Sequence, residues 1–160
     1  MNSIYDNTLY VTGQKADVST WISENTDITI GFPYFELDMN ASCPVPEDKP
    51  YENVWGCRYR GTTDVLQFQD NGQTAVIYFE TVESIPFIYD CDIDRLWSKS
   101  GWLDVVAKKY PHLTFWLNSH SYDDDCVIEC EFANGEIEEG WVHSAEMGNL
   151  TPDDRFILGD

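Results

Sequence analysis

The chain has 160 residues and sets twenty-nine Asp and Glu against nine Lys and Arg, a formal net charge of −20. That sign excludes nucleic acid and anionic membrane as direct partners, because both would be repelled. The 42% hydrophobic and 14% aromatic content excludes an acidic disordered tail, and a chain of this length can bury a core as one domain, residues 1–160.

The first predicted strand is Asn7 to Gly13, which alternates β-branched and aromatic residues and stops at glycine. A helix over Asp17 to Glu24 follows, with Val18, Trp21 and Ile22 on one apolar face. Asp27 to Asp38 reads as a second strand interrupted at Gly31 and Pro33. From Met39 to Gly61 three prolines and two glycines mark an irregular excursion.

Thr63 to Gln69 and Thr74 to Val82 are strand-like runs joined by Asp70-Asn71-Gly72-Gln73, and Asn-Gly between such runs signals a hairpin. Residues 83–101 read as an insertion. Trp102 to Tyr110 is predicted helical, with Trp102, Val105, Val106 and Lys109 near one face, Ser100 or Gly101 at its start and Pro111 as its stop. A second hairpin runs from Leu113 through Tyr122 into Cys126 to Phe132. Period-2 parity sets Cys126, Ile128, Cys130 and Phe132 on one face and Asp125, Val127, Glu129 and Glu131 on the other. Ala133-Asn134-Gly135-Glu136 turns the chain again into Ile137 to Val142. This order predicts an α+β architecture, an antiparallel sheet with helices packed on one face.

The charge is concentrated toward the end. Residues 111–160 hold twelve acids and one base, Arg155. Eight of those acids, Asp123, Asp124, Asp125, Glu129, Glu131, Glu136, Glu138 and Glu139, fall within seventeen residues. Carboxylates at i and i+2 of a strand stand about 6.6 Å apart, a spacing of the same order as charges along a nucleic-acid strand. A fixed row of them can therefore imitate phosphates toward a cationic groove, or it can simply be a solvated face. Six tryptophans exceed what this core needs, and Trp55, Trp116 and Trp141 are candidates for exposure and partner contact.

Metal and catalytic patterns are weak. Cys126 and Cys130 sit about 13 Å apart along a strand, too far to share a zinc. The five cysteines, odd in number, are expected as free thiols. Asp90, Asp92 and Asp94 alternate as in a calcium loop, but Arg95 and Gly101 stand where the turning glycine and the distal glutamate are needed. His112, His120 and His143 have no nucleophile pattern beside them. No catalytic residue, metal or cofactor is expected. The first residues lack a basic and apolar leader and no apolar run reaches eighteen residues, so a cytoplasmic location is expected.

Four segments, in order, resemble the YubB-type ferredoxin-like domain family carried by phages and conjugative plasmids. They are Asn7-Thr8-Leu9-Tyr10-Val11-Thr12-Gly13, Asn53-Val54-Trp55-Gly56-Cys57-Arg58-Tyr59, Tyr78-Phe79-Glu80-Thr81 and Lys109-Tyr110-Pro111-His112-Leu113-Thr114-Phe115. Where the family resembles a brief Trp-Ser-Pro-Pro turn, this chain has the longer Ile85 to Gly101. The resemblance implies a ferredoxin-like sheet and a mobile-element origin, hence a host bacterial cytoplasm, and supplies no catalytic residues.

Charge and resemblance together lead to one expectation: a non-enzymatic anti-defence inhibitor that occupies a basic, nucleic-acid-binding host protein, such as a CRISPR or restriction effector, by nucleic-acid mimicry. The expected contacts are the eight acids named above with Trp116 and Trp141. The alternative is an acidic interaction module that works through its Trp-rich face, with charge serving solubility only.

Overall fold

Among the described residues ten strands form an antiparallel sheet in the order β10-β9-β8-β7-β1-β6-β5-β3-β2, with β4 also paired to β6. The computed structural model describes residues 4–29, 31–48, 57–59, 64–82, 101–121, 126–144 and 156–157. The strands are β1 (Ile4–Thr12), β2 (Thr26–Asp27), β3 (Tyr34–Leu37), β4 (Arg58–Tyr59), β5 (Asp64–Gln69), β6 (Thr74–Val82), β7 (Thr114–Ser121), β8 (Cys126–Ala133), β9 (Glu136–Ser144) and β10 (Phe156–Ile157). The helices are α1 (Lys15–Asn25), the single turn α2 (Met39–Ser42) and α3 (Trp102–Lys109).

The expected α+β class holds, and the sheet is wider than the four strands of a ferredoxin-like sheet. The added width has a local cause. Asn134 and Gly135 both take positive φ, 56° and 81°, the signature of the two-residue turn whose twist suits a hairpin, and it folds β9 onto β8. Gly135 is also buried against α3, where a Cβ would lie 3.5 Å from Lys108 Cα. The Asn-Gly signal between β5 and β6 is likewise realised: Asp70, Asn71 and Gly72 all have positive φ and Gln69 pairs with Thr74. The second strand predicted over 27–38 is instead two short strands, β2 and β3, with Gly31 and Pro33 in the connection. The predicted excursion at 39–61 contains α2 and β4, and the insertion at 83–101 lies, except for Gly101, outside the described residues.

Helices α1 and α3 pack on the same face of the sheet. Trp21 of α1 meets Trp102 of α3 edge-on at 6.4 Å and Phe115 of β7 at 5.9 Å, and Trp102 meets Phe79 of β6 at 6.5 Å. Val18, Trp21 and Ile22 are buried as their spacing predicted. The buried face of α3 is Trp102, Leu103, Val106 and Ala107; Lys109, predicted near it, is exposed. The helix axis is rolled so that Leu103 and Ala107 complete an i, i+4 row, leaving the flexible lysine in water. A buried amide joins the three helices: Asn25 Nδ2 donates to Tyr110 Oη at 3.0 Å, and Ser42 Oγ donates to Asn25 Oδ1 at 2.5 Å.

Core residues alternate along the central strands: Tyr5, Leu9 and Val11 of β1, Ala75, Ile77 and Phe79 of β6, Phe115 and Leu117 of β7, Ile128, Cys130 and Phe132 of β8. The parity predicted for β8 is observed at Ile128, Cys130 and Phe132, whereas Asp125 and the Cys126 side chain lie outside what is described. Among the described residues no helix packs on the other face of these strands, as one-sided antiparallel sheets allow.

Candidate functional site

The face opposite the helices is assembled by register. Tyr10 of β1 lies opposite Val76 of β6 on one side and Trp116 of β7 on the other, and Trp116 lies opposite Glu131 of β8, which pairs with Glu139 of β9. The next row is Tyr78, Thr8, Asn118, Glu129 and Trp141, and the next is Glu80, Asp6, His120, Val127 and His143. Sequence positions more than a hundred residues apart thus meet as direct cross-strand neighbours.

Among the described residues acids outnumber bases on this face, where Arg58 is placed by its register with Val82, two positions along from Glu80. None of β1 or β5 to β9 contains a Lys or Arg; among the described strands the one such residue is Arg58 in β4, opposite Val82 at the end of β6. Lys15, Lys108 and Lys109 belong to α1 and α3, on the other side of the sheet. Acids also occur there, including Asp17, Glu24 and Asp104, and Lys108 Nζ donates to Asp104 Oδ2 at 3.2 Å. On the open face Asp6 and Glu80 are direct cross-strand partners. Like charges so placed destabilise a sheet.

Two features shape the surface. Tyr10 and Trp116 stack with ring centroids 5.0 Å apart and planes 25° from parallel, and Trp116 remains 40% exposed. Beside them a shallow depression of about 280 Å³ is lined by Asp6, Asn7, Thr8, Asp64, Val65, Tyr78, Phe79 and Glu80, three acids with no base.

Asp64 is 3% exposed and accepts a hydrogen bond from the Tyr59 hydroxyl, which itself accepts one from the Leu37 amide at 2.9 Å. Burial pushes the Asp64 carboxyl up to about 7; the Tyr59 bond opposes this, while Glu80 and Glu36 add to it. Burial and the Asp64 bond also hold the Tyr59 hydroxyl well above the usual phenol range. Because the native state binds the Asp64 proton more tightly than the unfolded chain does, this residue lowers stability as pH rises from about 4 to 7. Asp64→Asn keeps an acceptor for Tyr59. It is expected to be more stable than the parent at pH 8 by roughly 2 kcal/mol, with the gain vanishing near pH 4, as read by urea unfolding at both pH values.

The predicted contact residues divide. Trp116 and Glu131 are on the open face, and Glu136 and Glu138 are exposed near the β8–β9 turn. Glu129 keeps the face that parity predicted but is 7% exposed there, and its Oε1 accepts from Asn118 Nδ2 at 2.9 Å. Neighbouring strands crowd it, and a single-strand parity argument cannot foresee that. Glu139 and Trp141 have strand positions in β9, whereas Asp123, Asp124, Asp125 and Trp55 lie outside the described residues. Tyr10, Asp6 and Glu80 were missed; their parity opposite the apolar Leu9, Val11, Ile77 and Phe79 was the available signal. Among the described residues no group of three or more His, Cys, Asp and Glu could hold a metal ion. Cys43, Cys57 and Cys130 are buried free thiols, and no helix among the described residues is long and apolar enough to cross a membrane.

No protein-family model, curated protein or solved structure matches this chain.

Proposed function

We propose that the open face of the sheet binds the cationic surface of a partner protein, and that the chain acts as a non-enzymatic inhibitor by occupying a groove that otherwise holds nucleic acid. The observation that carries this reading is the separation of charge: acids and exposed aromatics share one face on which no helix of the described residues packs and whose long strands contain no Lys or Arg, while the lysines of α1 and α3 lie behind it. Open antiparallel sheets with exposed aromatics are used elsewhere to stack bases. Here the sign of the surface is reversed, and what it attracts is the protein that grips nucleic acid.

The inner strands in the order β7-β1-β6-β5 support reading the sheet's centre as a ferredoxin-like unit. Helix α1 lies between β1 and β5 in the chain and α3 between β6 and β7, and the remaining strands extend that unit on both sides. With the resemblance to a phage and plasmid family, this makes a CRISPR or restriction effector of the host bacterial cytoplasm the partner of choice. In a panel of purified effectors, the parent protein is expected to block DNA cleavage by at least one at near-equal molar ratio. Asp6→Asn/Glu80→Gln/Glu131→Gln is expected to need about a hundredfold more protein for the same block. Equal potency of parent and variant would remove the charge from the mechanism, leaving an interface made through Trp116 and its aromatic neighbours alone.

A further inference from the structure

The aromatic pair and its acidic neighbour say which cation the face is built to take. Tyr10 covers one side of the Trp116 indole at a centroid distance of 5.0 Å. Strand β7 lies between β1 and β8, and on the side away from Tyr10 the direct register partner of the 40% exposed Trp116 is Glu131. Glu129, one row along, is 7% exposed and already accepts from Asn118, so Glu131 is the acceptor available at this spot.

We propose that Tyr10, Trp116 and Glu131 form an arginine-recognition subsite, in which a partner's guanidinium lies on the outer face of the Trp116 ring and donates two N–H groups to the Glu131 carboxylate. The inference rests on the reading that this face meets a basic protein. Two physical differences select arginine over lysine. A guanidinium is planar, weakly hydrated and forked, so it stacks on an aromatic face and bonds a carboxylate with both prongs at once. An ammonium is a strongly hydrated point charge that gains the general attraction of the face and little from its flatness. The occupant is therefore an arginine-bearing segment of a partner protein, drawn in by an array of Asp6, Glu80 and Glu131 with no Lys or Arg in their strands.

Calorimetric titration of the full chain with octa-arginine and octa-lysine, which carry equal charge, tests this. At about 150 mM salt, octa-arginine is expected to bind roughly tenfold more tightly than octa-lysine. Trp116→Leu should erase that preference while octa-lysine affinity stays within about twofold, and Glu131→Gln should shrink it. Phe68→Leu, which trims an exposed aromatic outside the Tyr10–Trp116–Glu131 row, should leave it intact. Equal affinity of the parent for both peptides, with both weakened by Asp6→Asn/Glu80→Gln/Glu131→Gln, would overturn the arginine subsite and leave the acidic face standing. Failure of both peptides to bind at about 1 mM, or tighter binding of a single-stranded oligonucleotide, would overturn both.

Discussion

The protein carrying Asp6→Asn, Glu80→Gln and Glu131→Gln together is expected to melt at a higher temperature than the parent, even as it loses its partner. Asp6 and Glu80 are direct cross-strand neighbours. Each like-charge pair across strands costs a few tenths to about 1 kcal/mol, and relieving it in a chain of this size raises Tm by roughly 2–4 °C. Most substitutions destabilise, so a triple change that stabilises identifies side chains retained for something other than the fold. A Tm unchanged or lowered in a thermal melt at low salt would mean that the face carries no electrostatic stress. Added salt should raise the parent's Tm more than the variant's, because screening acts on the same repulsion.

Trp21→Ala has the largest expected effect on the fold. The indole is fully buried and touches Trp102 and Phe115, so it joins α1 to α3 and both to the sheet. Truncating a buried Trp costs about 3–5 kcal/mol, a large part of the 5–15 kcal/mol that holds a typical domain together. Its Nε1, like that of Trp102, is buried with no hydrogen-bond partner. Trp21→Phe removes that unpaired donor together with part of the ring, so it is expected to cost less than half as much as alanine. Chemical denaturation of the two variants separates lost packing from the lost donor. Similar costs for both would place the indole N–H, through a bound water, at the centre of the core instead.

Local physics made much of the scaffold legible. Val18, Trp21 and Ile22 fixed one helix by spacing, Asn71-Gly72 and Asn134-Gly135 marked two hairpins through the need for positive φ, and the alternation of Ile128, Cys130 and Phe132 identified the buried side of β8. The surface was less legible. Parity told that Trp116 and Glu131 point away from the core, but not that Tyr10 would stack on that tryptophan, because β1 and β7 are a hundred residues apart and their register appears only once the sheet closes. The same gap hid the burial of Glu129: parity put it on the right face, but not that Asn118 would arrive from the adjacent strand to bond it. Counting acids by chain segment pointed at the region from Asp123 to Glu139. The sheet instead draws part of its acidic face from Asp6 and Glu80, in strands where acids are sparse.

The most direct test of a cation-binding face is the affinity for an inhibited effector measured from about 50 to 500 mM salt, for the parent and for Asp6→Asn/Glu80→Gln/Glu131→Gln. A steep loss of affinity with salt, clearly shallower in the variant, is the expected result. A parent whose affinity is flat across that range, or a variant with the same slope, would contradict it.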